Sequence, residues 1–398
     1  MKKQTKFKET EIGKTHEDWE ERKIRDCIEL FYGKGLPERQ RKKGSIPVFG
    51  SNGIVGFHDE ASVKGPGIII GRKGSVGEIT FSKQDFWPID TTYYVQTKQG
   101  NDMGFWYYFL KTLGLNRMNS HSAVPGLNRD NVYEIDRAIP NFIEQRAIAS
   151  ILNSLDDKIA LNRSMNTTLE AIGQALFKHW FVDFEFPNGE GKAYRSSGGE
   201  MVKTELGKVP RGWRVGMLGK FCDIIMGQSP PGTTYNEIGE GLPFYQGITD
   251  FGFRFPSRRV YCTAPTRFAE EGDVLLSVRA PVGSLNVADE RCAIGRGVAA
   301  LRMKGKQHGY LYYLLCATQS GWNKFEAEGT VFGSVNKADV NDFKVILPSE
   351  TLRNNFGSLM EPLDKQIMNN EKQSQTLATI RDAILPKLMS GEVRVGAS

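Results

Sequence analysis

Thr10-Glu11-Ile12-Gly13-Lys14, followed by Trp19, returns as Thr204-Glu205-Leu206-Gly207-Lys208, followed by Trp213, at a constant offset of 194. The match reaches Gly33 and Gly227. Ile46-Pro47-Val48-Phe49 with Gly56-Phe57 then pairs with Leu242-Pro243-Phe244-Tyr245 and Gly252-Phe253 at an offset of 196. The offset jumps to 206 where Val76-Gly77 meets Val282-Gly283, and is 205 where Tyr107-Tyr108-Phe109-Leu110 meets Tyr312-Tyr313-Leu314-Leu315. From Leu127-Asn128-Arg129 against Val335-Asn336-Lys337 it settles at 208 for about 55 residues. A long internal repeat decides the architecture before any single motif does. The 398-residue chain is a duplication. Each copy has a front part that accepts insertions in Gly- and Pro-rich loops and a back part that accepts none.

The back part reads as a long helix. Ile148, Leu155, Asn162, Leu169 and Leu176 recur every seven residues, interleaved with Leu152, Ile159 and Asn166 at the spacing of a coiled-coil seam. The second copy has Phe356, Leu363, Asn370, Leu377 and Ile384, interleaved with Met360 and Ile367. About 35 residues of helix at 1.5 Å each give a length of roughly 50 Å. A narrow apolar stripe of that length needs a partner helix, and the duplicate supplies one. Antiparallel pairing is the simplest arrangement, with Leu152, Leu155, Ile159, Asn162 and Leu169 facing Met360, Leu363, Ile367, Asn370 and Leu377. Asn162 and Asn370 would then help to set register, since a polar seam residue penalises misalignment. The other reading makes both of them surface residues on drifting helices. Phe177, Trp180, Phe181 and Phe184 at the end of the first helix read as packing, because Leu385, Leu388 and Met389 take the same places in the second.

The front parts hold short β-rich runs bounded by Gly and Pro: Gly67–Gly71, Tyr93–Gln96, Asp273–Leu276 and Val298–Leu301. Phe105–Leu110 and Leu311–Leu315 look like single buried helices. The expected fold is α+β: two homologous mixed α/β domains in tandem, separated by two long helices that pair as an antiparallel coiled coil. The expected boundaries are 1–142 for the first domain, 143–186 for the first helix, 187–203 for a linker, 204–350 for the second domain, 351–392 for the second helix and 393–398 for a tail.

A hydrophobic content of 39% with 25% charged residues is that of a globular protein. Apolar runs of a few residues fall far short of the roughly 20 needed to cross a bilayer. The basic amino end runs into Glu9, Glu11 and Glu17 in place of an apolar signal core, so a cytoplasmic location is expected. Five cysteines form no C-x-x-C pair and five histidines no zinc-type spacing, so no metal is expected. Residues 1–142 hold 22 Lys/Arg against 18 Asp/Glu and residues 200–350 hold 18 against 16, so the excess of the +6 net charge lies in the two front parts. That balance suits nucleic acid without demonstrating it.

No phosphate-binding loop, dinucleotide fingerprint or nuclease-like cluster of acids and lysine is present. Ser229-Pro230-Pro231-Gly232 resembles the target-amine loop of amino-methyltransferases, but Gly232 stands where a stacking aromatic would be needed, so a proline-rich turn is the better reading. Asp156-Asp157 reads as solvated helix surface. What recurs is a cation in a tight loop after an apolar strand: Gly71-Arg72-Lys73-Gly74-Ser75-Val76-Gly77 aligns with Ser277-Val278-Arg279-Ala280-Pro281-Val282-Gly283. Such loops suit phosphates, and arginine also reads guanine edges. Further candidates are Lys34, Arg39, Arg41, Lys42 and Lys43 in the first copy and Arg254, Arg258, Arg259 and Arg296 in the second. Each alone reads as a solvated charge; as a set occupying both copies they point to DNA.

Three stretches carry a resemblance to a known family: Thr204–Trp213, the run Ile139-Pro140 with Glu144-Gln145-Arg146-Ala147-Ile148-Ala149, and Leu385-Pro386-Lys387-Leu388-Met389-Ser390-Gly391-Glu392. With two domains each closed by a long helix, the chain resembles the specificity subunit of type I restriction-modification systems over nearly its whole length. The resemblance implies a non-catalytic subunit that reads a bipartite double-stranded DNA target, one half per domain, while the helices act as a ruler and dock two modification subunits. It implies no cofactor in this chain, S-adenosylmethionine on the methyltransferase partners, and separate motor subunits for cleavage. A spacer of roughly 50 Å against 3.4 Å per base pair puts half-site centres on the order of 15 base pairs apart. The second helix departs from the pattern: Pro348-Ser349-Glu350-Thr351-Leu352-Arg353 lacks the Glu-Gln pair of the first. The competing expectation is a coiled-coil interaction scaffold with only non-specific DNA binding.

Overall fold

The computed structural model describes residues 7–10, 13–118, 126–279, 281–305, 308–325 and 333–395. Glu11 and Ile12 of the first opening motif, Ala280 of the second cationic loop and the tail's last three residues lie outside them.

Both front parts contain a four-stranded antiparallel sheet with the same order. In the first it runs Ile28–Tyr32, Thr92–Thr97, Gly67–Gly71, Ile79–Ser82; in the second, Cys222–Met226, Val298–Met303, Val274–Ser277, Leu285–Val287. Burial on every residue of Gly67–Gly71 and Val274–Ser277 explains their unbroken apolar runs. A ten-residue helix follows each sheet, Met103–Thr112 and His308–Ala317. The predicted strands and helices are all found. A second sheet in each copy has a parallel pair at its heart, Ile46–Gly50 with Trp87–Pro88 and Leu242–Tyr245 with Cys292–Ile294. Here the copies diverge. The first has the six-residue strand Gly53–His58 where the second has only Tyr261–Cys262 in the equivalent antiparallel pairing, and the second adds Tyr235–Asn236 and Phe268–Ala269. The largest length difference between the copies, where the offset jumps from 196 to 206, falls in this sheet.

The opening motif brings two antiparallel strands together in each copy. Phe7–Thr10 pairs with Gly13–His16, and Met201–Thr204 with Gly207–Pro210. In the second copy the Thr204 hydroxyl accepts from the Leu206 amide and donates to the Gly207 carbonyl. The expected linker 187–203 is thus folded: Met201–Thr204 is already a strand, and Phe186 stacks on Tyr194 and Trp213.

The long helices span Phe142–Phe177, 36 residues, and Glu350–Met389, 40 residues. They do not stand apart as a third body. The chain divides into one unit of Met1–Ala160 with Ser374–Ser398 and another of Leu161–Gln373. The physical reason is that the helix stripe is shared with the domain cores: Leu152 packs in the first core beside Leu388 and Met389, and Met360 in the second beside Phe177, Trp180 and Phe181. Ile159 and Ile367 are buried, while Leu155, Leu169, Leu363 and Leu377 are half-buried. In the second unit the Asn162 amide donates to the Asn370 carbonyl at 3.3 Å and to Gln373 at 2.9 Å. Asn370 donates to Asn166 Oδ1 at 2.8 Å, and Asn166 to the Ile367 carbonyl at 3.4 Å. One turn forward on the first helix is one turn back on the second, so the pair runs antiparallel. Asn162, Asn166 and Asn370 are all buried. Unpaired, they would each cost about 1–3 kcal/mol, so this mutual bonding fixes register.

Each domain is clasped to a helix by a repeated Tyr–Asp pair. In the first unit the Tyr108 hydroxyl donates to Asp156 at 2.7 Å, and Arg381 bonds the other carboxylate oxygen at 2.6 Å. Asp156, expected as solvated surface, is this anchor. In the second unit Tyr313 donates to Asp364 at 3.1 Å, but the place of Arg381 is taken by Gly173, whose side chain, if it had one, would strike the Tyr313 hydroxyl. The cation comes from Arg254. It is 2% exposed, bonds Asp364 at 2.9 Å and Glu170, and lies 3.8 Å over the Tyr312 ring. Arg254, expected to contact DNA, is therefore a buried structural cation, because two carboxylates and two tyrosines enclose it. Burial pushes the nearby Glu371 carboxyl up to about 7, against the amides of Arg254 and Phe255 that bond to it.

Arg254→Met is expected to lower stability by about 3–5 kcal/mol in thermal or denaturant unfolding, since it strands Glu170 and Asp364 without their cation; a variant as stable as the parent would remove the clasp from the account. Glu371 binds its proton more tightly folded than unfolded. The stability that protonation contributes is full below pH 4.5 and is lost as pH rises through about 7. Glu371→Gln, which stays neutral, is expected to flatten the melting temperature across that window and to melt above the parent at pH 8. An unchanged pH profile would contradict it.

Candidate nucleic-acid interface

In each front part four backbone hydrogen bonds converge on one short segment. In the first, the Lys34 amide donates to the Pro88 carbonyl, Ile89 to Phe49, Arg72 to Thr91, and Gly33 to Thr92, all at 2.9–3.0 Å. In the second, Gln228 donates to Ile294, Gly295 to Tyr245, Val278 to Gly297, and Gly227 to Val298, at 2.8–3.0 Å. The packing is close enough to demand glycine. A Cβ on Gly33 would lie 2.1 Å from the Ile89 oxygen, and one on Gly227 2.1 Å from the Gly295 oxygen. The cationic loops are pinned alike, by Leu127 donating to the Arg72 carbonyl and Val335 to that of Val278, both at 2.9 Å.

On this shared frame the side chains differ. In the first copy Arg72 is half-buried, donates to the Asp90 carbonyl at 2.7 Å, and lies 5.2 Å from the exposed Tyr32 ring. Arg129 lies 5.4 Å from the same ring. Lys73 is exposed, and Ser51, at the tip of the neighbouring hairpin, donates to its carbonyl. In the second copy buried Val278 replaces Arg72, Arg279 replaces Lys73, and Arg296 replaces Asp90. Exposed Arg279, Arg296 and Arg259 line one open cleft of about 420 Å³ together with Gln246 and Ser229. Asp250, buried at its floor, bonds Arg259 at 2.9 Å and the Gln246 amide at 2.7 Å, fixing the rim. Convergent guanidinium groups over an open polar cleft suit phosphate or a purine edge.

The remaining candidates divide. Lys34, Arg39, Lys42 and Lys43 are exposed on the loop that runs along the hairpin, with Lys34 5.9 Å from the Trp87 ring and Lys42 3.7 Å from Asp59. Arg41 is a pin: its guanidinium donates to the carbonyls of Val55 at 2.7 Å and Leu36 at 3.3 Å. Arg258 is held by Asp289 and Glu290 and does not line the cleft. Tyr32, Arg129 and Gln246 were not among the sequence candidates, and Ser229 was read only as part of a proline-rich turn. Tyr32 stands directly before the repeated Gly33, and Gln246 directly after the repeated strand Leu242–Tyr245, so the alignment held the signal for both. Among the described residues no group of His, Cys, Asp or Glu is arranged to hold a metal, and no helix is long and apolar enough to cross a membrane.

The second helix start differs in structure as in sequence. Glu144 accepts from Trp19 Nε1 at 3.2 Å and pairs with Arg394; the equivalent Leu352 is buried in the second core, and Trp213 stacks on Phe186.

The family model of the type I restriction modification DNA specificity domain matches residues 16–171 and again 210–378. The type I restriction enzyme MjaIX specificity subunit of Methanocaldococcus jannaschii is 26% identical over 98% of this chain and 97% of its own. The HindI specificity subunit of Haemophilus influenzae is 24% identical over 68% of this chain and 71% of its own. In fold, the chain is similar to the crystal structure of the type I restriction-modification system S subunit from M. genitalium, with a TM-score of 0.60 and 17% identity over 93% of this chain and 96% of that one. Matched twice by the family model, once per repeat, the chain belongs to the type I restriction-modification DNA specificity family and is a non-catalytic specificity subunit with two target-recognition domains.

Proposed function

We propose that the chain reads a two-part double-stranded DNA target in the cytoplasm, one half-site per domain, and docks two modification subunits on its long helices, with restriction motor subunits joining through them. The observation that carries this is the pair of frames. The same backbone bonds hold both recognition surfaces, while Arg72, Lys73 and Asp90 give way to Val278, Arg279 and Arg296. A fixed scaffold with exchanged side chains is what reading two unlike half-sites requires. Methyl transfer would then be the partners' chemistry, with S-adenosylmethionine bound there. Apolar side chains left exposed on the helices support docking: Phe142, Ile143 and Ile151 in one unit, and Leu161, Met165 and Ile172 in the other.

Mapping methylated sites in cells that carry this chain with its modification partner is expected to return an asymmetric sequence of two short blocks with an unspecified gap. Arg279→Ala with Arg296→Ala is expected to reduce the slope of log affinity against log salt by about 2, since each phosphate contact contributes roughly 0.9. Where either guanidinium reads a guanine, one block also becomes degenerate while the other is kept. An unchanged slope together with two unchanged blocks would remove the cleft from the interface.

A further inference from the structure

The first domain exposes few large apolar side chains, and they are gathered together. Outside the long helix and the C-terminal tail, those exposed among its described residues are Tyr32 at 54%, Ile54 at 55%, Val55 at 45% and Phe57 at 53%. Three of the four lie on one strand, Gly53–His58, which is the edge of its sheet. A bare apolar edge strand invites aggregation and marks a surface that something covers.

The surroundings identify the occupant by charge. The loop that carries Lys34, Arg39, Lys42 and Lys43 runs along this strand, tied to it by Arg41 donating to the Val55 carbonyl at 2.7 Å and by the Lys42 amide donating to His58 at 3.0 Å. The Arg41 guanidinium fills the space beside Gly56, 2.6 Å from where a Cβ would stand, at an irregularity in the strand register. At its tip the hairpin touches the first domain's own cationic loop Gly71–Gly77, through Ser51 and the Lys73 carbonyl. An apolar ribbon framed by cations fits a polyanion with apolar groups inside a groove. The DNA major groove, about 12 Å wide, admits a two-stranded ribbon, and the apolar group it offers is the thymine 5-methyl.

We infer that the hairpin Ile46–His58 enters the major groove of the first domain's half-site and sets Ile54, Val55 and Phe57 against thymine methyl groups. This rests on the reading that the domains recognise DNA. In the second domain the strand that pairs with Leu242–Tyr245 in the equivalent register is only the two-residue Tyr261–Cys262, and between the two the chain turns through Gln246–Asp250 into the arginine cleft. The two half-sites are therefore read by different chemistry, apolar in the first and cationic in the second.

The test measures binding of the full chain with its modification partner to the mapped target, with thymines of one block at a time replaced by deoxyuridine, which pairs alike but lacks the methyl. The parent is expected to lose about fourfold in affinity per methyl contact at one block, the factor equivalent to about 0.8 kcal/mol for a buried methyl group. Ile54→Ser/Val55→Ser/Phe57→Ser is expected to bind thymine and uracil DNA alike while still preferring the other block, and Phe57→Ala alone to halve the effect or more should the triple variant fail to fold. A variant that keeps the parent's thymine-to-uracil ratio overturns the inference, as does a target with no uracil-sensitive block. Loss of partner binding with that ratio unchanged assigns the hairpin to a protein contact and overturns it too. If the parent shows no preference among DNA sequences, it is the DNA-recognition reading that fails.

Discussion

Two glycines that cannot carry a side chain hold the frame of each candidate recognition surface. At Gly33 and Gly227 the chain passes so close to the carbonyls of Ile89 and Gly295 that any Cβ would collide. That approach lets four backbone bonds draw the first strand's end, the second sheet and the cationic loop onto one segment. Because the frame is made of main-chain groups, it does not depend on which side chains project from it. Arg72 can become Val278 and Asp90 can become Arg296 with the bonds unaltered. A protein whose task is to discriminate sequences gains from this separation: the scaffold is fixed by atoms every residue possesses, and the readers are free to change.

The attachment of each domain to its helix obeys a looser rule. The tyrosine and aspartate are repeated, Tyr108 with Asp156 and Tyr313 with Asp364, but the cation that completes them comes from a helix as Arg381 in one unit and from the domain as Arg254 in the other. Gly173 in the place of Arg381 makes the exchange possible, by leaving room for Tyr313. A buried carboxylate must have a counter-charge, and the direction from which it arrives is secondary. The helices meet through Asn162, Asn166 and Asn370 in a similar spirit: buried polar groups that bond one another at a single register.

Repetition made much of this legible. The order of elements, the antiparallel helices and the position of the cationic loops follow from aligning the copies, because backbone frames and apolar cores repeat. Sequence reading failed where a residue's surroundings come from distant chain. Arg254 sits among exposed-looking residues in a Gly- and Arg-rich loop, and only the fold shows that Glu170 and Asp364 enclose it. Asp156 beside Asp157 gave no sign that Tyr108 would reach it. The helices look like a separate ruler by periodicity, yet Leu152 and Met360 belong to domain cores, since a stripe can be shared by two neighbours at once. Residues 187–203 read as a linker because Gly and Ser are frequent there, while Tyr194 and Met201–Thr204 fold onto the second domain.

On the proposed reading, each domain recognises its own half-site through its own side chains on a common frame. The most direct measurement maps methylated sites for a chain in which the second domain is replaced by another copy of the first, beside its modification partner. Two identical blocks, both matching one block of the parent's target, are predicted. A target that keeps the parent's second block, or one unrelated to either block, would contradict the account.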